Sequence, residues 1–248
     1  MKKWFFIILS FLGISTMAQA VTKEEADSAY VEGNYKKAIS LYNSLLSEGI
    51  SYELYYNLGN AYYRLDDMTH AVLNYERALQ LAPGDSDVRF NLQMARSKTI
   101  DKIVPESEMF FVTWYRSLVN MESVDGWGVM ALIMLGLAVV LALLYLFANA
   151  LWLRKIGFFG AVFAIFLFFV GNLLAWQQKY NLASQKGAII MESAVNVKST
   201  PANNGTDLFI LHEGTKVTII DDTMRDWKEV RVADGKQGWI EVKQIEII

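Results

Sequence analysis

Two long uncharged runs dominate the hydrophobic pattern of this chain. Residues 126–153 and 156–178 carry no charged side chain, and only Arg154 and Lys155 separate them. A helix that spans a bilayer needs about 20 apolar residues, so each run is long enough to cross. The pattern therefore predicts a transmembrane hairpin that turns at Arg154-Lys155, and the Lys/Arg bias of short loops places this turn in the cytoplasm.

A shorter apolar run lies at the amino terminus. Lys2 and Lys3 precede apolar residues 4–17, and Ala18-Gln19-Ala20 follows as a small-x-small cleavage site. This order predicts a secretory signal peptide over residues 1–20. With or without cleavage, the chain from Val21 onward is expected outside the cytoplasm. The regions on both sides of the hairpin are therefore expected to be periplasmic.

Between residues 21 and 98 the apolar positions follow a helical period that repeats. The pattern of residues 33–46 recurs 33 residues later, and that of residues 56–61 recurs 34 residues later. Small residues at Ala38 and Ala71 would let paired helices approach, and Tyr42 and Tyr75 would fill the gap between successive hairpins. Helices are predicted at residues 23–32, 35–46, 52–65, 69–81 and 85–98. Asp66 stands where the first repeat has Gly33, and it is expected to form the same tight turn.

This period is typical of tetratricopeptide repeats. Residues 57–83 resemble that family closely, and the resemblance implies a curved array whose concave side binds extended peptides or helices of other proteins. Asn57 and Asn91 lie on equivalent helices, where the family commonly uses asparagine amides to hold a ligand backbone. They are the candidate binding residues of the array, and ordinary solvated or inter-helix polar residues are the alternative.

Residues 99–125 form a linker with an amphipathic segment after Pro105. One helical face would carry Phe110, Phe111, Trp114, Leu118 and Met121. Such a face suits the headgroup region of a membrane, since the rings of Trp and Tyr are largely apolar while their polar atoms remain in contact with water. Packing against the array as an extra capping helix is the alternative.

After Tyr180 the pattern changes to period two. Strands are predicted at residues 188–191, 194–198, 216–221, 227–232 and 237–242, with a hairpin turn at Asp234-Gly235. Residues 185–248 resemble a bacterial SH3-like domain, because residues 195–201, 213–217 and 238–240 follow its motifs. Trp227 and Trp239 would either line a groove for peptide or glycan strands or close the core. The core role is favoured for Trp239.

Composition narrows the function classes. The chain has no cysteine, which excludes a disulfide framework and a thiolate site. Acidic residues outnumber basic ones by 11 to 8 in residues 21–98 and by 10 to 8 in residues 185–248, so nucleic acid is not an expected partner. The two histidines, His70 and His212, are expected to be a surface residue and a structural residue. Because no catalytic, metal-ligand or phosphate-loop motif is present, we expect neither enzyme activity nor a cofactor.

The predicted fold class is a multidomain α, membrane and β protein: a tetratricopeptide repeat array, two transmembrane helices and a small SH3-like β-barrel. This order of parts resembles the BatE family of the Bacteroides aerotolerance operon across nearly the full length. The resemblance implies an inner-membrane adaptor that acts with other Bat proteins, some with von Willebrand factor A domains, and with a cytoplasmic AAA-type ATPase. The implied role is stress tolerance or envelope maintenance. A peptidoglycan-binding envelope sensor that uses the barrel is the alternative.

Overall fold

A computed structural model describes residues 21–184 and 186–248. The predicted signal peptide, residues 1–20, lies outside the described residues. The chain forms a helical array, a pair of long apolar helices and an antiparallel sheet, in that order. The predicted fold class is therefore confirmed.

The array consists of five helices close to their predicted bounds: α1 Lys23–Val31, α2 Tyr35–Glu48, α3 Tyr52–Arg64, α4 Met68–Leu81 and α5 Ser86–Lys98. Side-chain oxygens cap the starts of four of these helices, as Asn34 does for α2 and Asp67 for α4, while Ser51 before α3 makes no such hydrogen bond. Gly33 and Asp66 both adopt positive φ, at 79° and 62°, so the shared tight turn is confirmed.

The repeat positions pack as expected. Ala38, Ala71, Tyr42 and Tyr75 are all buried. A Cβ placed on Gly59 would lie 2.7 Å from the Tyr75 ring, so this ring lies directly over the backbone of α3. Glycine is needed here because any side chain would push the ring away.

The linker helix α6, Phe110–Val119, points its aromatic face away from the array. Phe110 is 84% exposed, and Phe111 and Trp114 are exposed as well. At its carboxyl end, α6 packs on the long helices, where the Trp127 Nε1–H donates to the Val119 carbonyl at 2.9 Å. The exposed aromatic face is available to lipid headgroups, while the Met121 carbonyl just after α6 lies against Gly84 of the array, so α6 borders the array as well.

The two long helices are α7, Val124–Phe147, and α8, Leu151–Ser184. Both are long and apolar enough to cross a membrane. The turn between them covers residues 148–150, which corrects the predicted turn at Arg154-Lys155. The reason is that Ala148 adopts an extended backbone and the polar Asn149, which disfavours a helix interior, follows it. Arg154 and Lys155 therefore lie near the start of α8.

Small residues let the two long helices approach closely. A Cβ on Gly157 would lie 2.6 Å from the Tyr145 backbone nitrogen, and Ala161 and Ala164 are buried. These are the close contacts expected from small residues spaced four apart.

The sheet contains seven strands: β1 Gly187–Ile190, β2 Ala194–Lys198, β3 Asp207–His212, β4 Lys216–Asp221, β5 Trp227–Arg231, β6 Gln237–Glu241 and β7 Ile245–Ile247. Their order is β3-β2-β6-β5-β4-β1-β7, and every pairing is antiparallel. Strands β3 and β7 were not predicted, because the Leu-Phe-Ile-Leu run of β3 does not alternate and β7 is only three residues long.

Candidate functional site

The array contains the same hydrogen-bond network twice. The Tyr42 hydroxyl and the Asn57 amide both donate to Asp27 Oδ1, at 2.6 and 3.2 Å. One repeat later, the Tyr75 hydroxyl donates to Asn60 Oδ1 at 2.7 Å, and the Asn91 amide donates to the same oxygen at 3.0 Å. We call these the first and second networks. Each joins three helices through one shared acceptor.

The acceptor of the first network is charged. Burial alone would raise the pKa of Asp27, but hydrogen bonds from Tyr42 and Lys23 outweigh it and lower this pKa. Burial and the neighbouring Asp27 raise the pKa of the Tyr42 hydroxyl. The carboxylate therefore remains ionised and the hydroxyl remains a donor at neutral pH.

The first network lines a pocket of about 210 Å³ at the amino-terminal end of the array. Its walls are formed by Asp27, Tyr30, Val31, Tyr42, Asn57 and Asn60. Val31 is 84% exposed at its edge. We call this end of the array the open end. Of the two candidate asparagines, Asn57 lies in this pocket, while Asn91 donates to Tyr56 and to Asn60.

The barrel covers the α4 side of the array near its carboxyl-terminal end, and we call this region the covered end. Ile189 of β1 is 0% exposed and packs in one apolar cluster with Val72 and Leu73 of α4. Polar contacts surround this cluster: Arg77 bonds the Glu246 carboxylate and the Ile247 carbonyl, each at 2.8 Å. The array and the barrel therefore share a core.

A buried acidic residue lies within this interface. Glu76 is 3% exposed, and its carboxylate pairs with Arg96 of α5 and with Lys216 of β4, the latter at 2.7 Å. A buried carboxylate needs such partners, because an unpaired charge is costly away from water. Sequence reasoning missed this interface. The available signal was the pair of consecutive isoleucines in β1, Ile189 and Ile190. Consecutive residues of a strand point to opposite faces, and both are buried here, so both faces of β1 are covered.

The linker is also tied to the barrel. Asp101 accepts from the backbone N–H of His212 at 2.8 Å and from the Thr215 hydroxyl at 2.7 Å, and it contacts His212 Nδ1 at 2.8 Å. Burial opposes the charged form of Asp101, but these hydrogen bonds lower its pKa. His212 thus has a carboxylate partner that the sequence did not reveal. The Thr215 hydroxyl donates to Asp101 and not to the imidazole, so the three groups lack the nucleophile-to-base order of a triad.

His70 lies at the start of α4. Its Nδ1 contacts Asp67 at 2.8 Å, and its ring stacks on Tyr62 with centroids 4.8 Å apart. Within residues 21–184 and 186–248, no group of three or more His, Cys, Asp or Glu residues is arranged to hold a metal ion.

The two barrel tryptophans lie on its outer face. Trp227 pairs with Glu241, and Trp239 pairs with Glu229, so the two rings are diagonal neighbours on the face opposite the buried Val230 and Ile240. Both are half-buried, and neither belongs to the barrel core. The favoured core role of Trp239 is therefore wrong, because its strand register turns it outward.

Comparison with known families agrees with this architecture. Residues 52–85 match the tetratricopeptide repeat model, and residues 193–245 match the bacterial SH3 domain model. No curated protein matches the chain. Tetratricopeptide repeats support binding of other proteins, and bacterial SH3 domains support binding of the cell wall. Both modules are typically non-catalytic interaction domains, and here two apolar helices join them.

Proposed function

We propose that this protein is a non-enzymatic adaptor of the bacterial inner membrane that holds a protein partner at the open end of its periplasmic array. The observation that carries this proposal is the contrast between the two ends. The barrel occupies the surface of α4 at the covered end, while the pocket around Asp27 and Asn57 opens to solvent.

The chemistry of the open pocket suits a peptide segment. Asp27 offers an ionised carboxylate, and Asn57 and Asn60 offer amide groups, while Tyr30 and Val31 add apolar surface. Such a mixture favours a partner segment that presents backbone N–H groups or a basic side chain next to an apolar one.

The resemblance to the BatE family extends this proposal to the identity of the complex. It supports a partner among other Bat proteins, including those with von Willebrand factor A domains, and a role in oxidative-stress tolerance or envelope maintenance. Crosslinking in native membranes followed by affinity purification of the full chain tests this part. If no Bat protein is recovered, the proposed identity of the partner is wrong, but the adaptor role is unaffected.

The two asparagines provide a matched test of the pocket. Both amides donate to a shared acceptor, but only Asn57 is among the residues that line the pocket walls. Asn57→Ala should weaken partner capture from solubilised membranes, while Asn91→Ala should leave capture near wild type. The two variants should lose similar stability, about 1–3 kcal/mol each, because Asn57→Ala removes one hydrogen bond to a charged carboxylate and Asn91→Ala removes two to neutral groups. Equal capture by both variants would contradict the pocket as the binding site.

The proposed orientation places the array and the barrel in the periplasm and the turn at residues 148–150 in the cytoplasm. The contacts between array and barrel support a common side for both, and Arg154 and Lys155 near the turn support a cytoplasmic turn. Because the chain has no cysteine, single cysteines report accessibility directly. An impermeant maleimide should label Gly49→Cys and Asn204→Cys in intact spheroplasts but not Asn149→Cys. The reverse pattern would overturn the orientation.

Peptidoglycan binding by the barrel is the second candidate function. It is favoured by the outward position of the half-buried Trp227 and Trp239, since aromatic rings on an outer face can line a groove for glycan or peptide strands. The solubilised full chain should then co-sediment with purified cell wall. Trp227→Ala should abolish co-sedimentation, and Trp227→Tyr, which keeps an aromatic ring, should retain most of it. Equal sedimentation of wild type and Trp227→Ala would exclude this face.

A further inference from the structure

A second, larger pocket lies where the array, α6, the end of α8 and the barrel meet. Its volume is about 580 Å³. One wall is the polar side of α6, including Arg116 and Ser117, and the opposite walls include Arg89 of α5 and Lys216 of β4. A pocket of this size is large enough for a small polar ligand.

The walls carry an excess of positive charge. Three cationic residues, Arg89, Arg116 and Lys216, face one acidic residue, Glu76. Lys216 pairs with Glu76 at 2.7 Å, and Arg116 pairs with Glu108 at 2.9 Å. Arg89 donates to the neutral carbonyl of Pro83, and within the described part of the chain no carboxylate forms an ion pair with it. The pocket therefore favours an anionic group.

A buried polar group in the wall also points to a ligand. Gln178 is 2% exposed, and its Oε1 has no hydrogen-bond partner among the described residues. Gln178 follows the buried Leu174 by one helical turn, so it lies on the same face of α8. A buried acceptor without a partner costs stability unless a donor from a ligand reaches it. The ligand should therefore carry a donor, such as a hydroxyl, beside its anionic group.

The depth of the pocket indicates the source of this ligand. Gln178 lies at the same level of α8 as Trp176 and Tyr180, two exposed rings that stack with centroids 6.1 Å apart where the apolar run of α8 ends. On α6, Trp114 is exposed and does not line the pocket. Exposed Trp and Tyr side chains at the ends of spanning helices lie at headgroup level. The pocket therefore lies beside lipid headgroups.

We propose that this pocket binds the headgroup of an anionic, hydroxyl-bearing phospholipid such as phosphatidylglycerol. The phosphodiester contacts Arg89 and Arg116, and a headgroup hydroxyl donates to Gln178 Oε1. Because α4, α6, α8 and the barrel all contribute walls, the bound headgroup joins the soluble modules to the membrane surface. This site is separate from the open-end pocket and does not depend on a protein partner.

The test measures lipid retention and thermal shift of the full chain in neutral detergent, with phosphatidylglycerol, phosphatidylcholine and inorganic phosphate as separate probes. Phosphatidylglycerol should be retained and should raise the unfolding midpoint, while the other two probes should not. Arg89→Gln with Arg116→Gln should reduce phosphatidylglycerol affinity by about tenfold or more, since charge-assisted hydrogen bonds are lost. The control is Arg225→Gln, an exposed arginine in the turn between β4 and β5, which should bind as wild type.

Gln178→Leu separates a ligand role from a structural one. The substitution removes an acceptor without a partner, so the lipid-free unfolding midpoint should stay level or rise, while phosphatidylglycerol affinity should fall severalfold. Three results would overturn the proposal: unchanged affinity in the double arginine variant, equal retention of phosphatidylcholine, or an equal shift from inorganic phosphate. If Gln178→Leu fails to fold, the phosphatidylglycerol affinity of the Arg89→Gln, Arg116→Gln double variant still tests the proposal.

Discussion

The open and covered ends of the array carry the same repeat but different neighbours. At the open end, Tyr42 and Asn57 converge on the ionised Asp27 beside an open pocket. Towards the covered end, Tyr75 and Asn91 converge on the neutral Asn60, and the barrel lies on the adjoining helix α4. The same repeat thus leaves an open pocket at one end and forms an internal joint at the other. The neighbouring module decides which surface of a repeat remains available.

The largest effect is expected from a substitution that disrupts the contact between the barrel and α4. Ile189→Asp puts a charge into the apolar cluster shared by β1 and α4, and we expect a loss of more than about 3 kcal/mol in unfolding free energy. Denaturant unfolding of the solubilised chain, followed by tryptophan fluorescence, measures it.

Ile210→Asp is the matched control, because Ile210 is exposed on β3 of the same barrel. Its effect should stay within about 0.5 kcal/mol. Equal losses in both variants would mean that the barrel does not depend on the array.

A smaller effect is expected from the buried carboxylate of the covered end. Glu76→Gln leaves Arg96 and Lys216 without their shared anion, and because both cations are partly exposed we expect a cost of about 2 kcal/mol. At the open end, Glu25→Gln removes only an exposed pair with Lys37 and should cost less than about 0.5 kcal/mol. Unfolding free energies of the two variants check this contrast, and similar values would contradict it.

The two networks can be compared by removing one hydroxyl from each. Tyr42→Phe deletes a hydrogen bond to a carboxylate, and Tyr75→Phe deletes one to a neutral amide. We expect losses of about 1.5 and about 1 kcal/mol, since hydrogen bonds to charged groups are stronger. The reverse order in thermal or denaturant unfolding would show that charge at Asp27 does not strengthen the first network.

The last prediction is a pH dependence of the contacts that Asp101 of the linker makes with His212 and Thr215 of the barrel. The pKa of Asp101 is lower in the folded chain, so its stabilisation is complete above the ordinary aspartate value of about 3.9 and is lost as pH falls through the lower folded value. Asp101→Asn should cost about 1 kcal/mol at pH 7, and its difference from wild type should shrink in acid. A difference that stays constant from pH 7 to acid would contradict this assignment. The same measurement of unfolding free energy against pH for Asp27→Asn allows the comparison with the open end.

Local signals in the sequence were sufficient for the helices. The starts of α2 and α5 were predicted within one residue, because Asn34 and Asp85 cap them and the 33-residue period fixes their phase. The first network was only partly foreseeable. Asp27 and Asn60 are also 33 residues apart, so the repeat indicates that they occupy equivalent positions. It does not indicate that a carboxylate and an amide would both serve as the shared acceptor.

The interface between modules was beyond sequence reasoning for a physical reason. Glu76 and Lys216 are 140 residues apart, and no local pattern relates a helix surface to a strand across an intervening hairpin. The outward turn of Trp239 was missed for a similar reason, since an aromatic residue in a short strand suits either face until the register is known.

One consequence of helix α8 is mechanical. Its 34 residues run without interruption from the turn at residues 148–150 to within three residues of β1. A straight helix of that length measures about 51 Å, so a tilt of about 5° at one end moves the other by about 4 Å. Since the barrel is fixed to the array through Ile189 and Glu76, such a tilt would swing both modules together as a lever. Force applied to the array would therefore be transmitted along the whole length of α8.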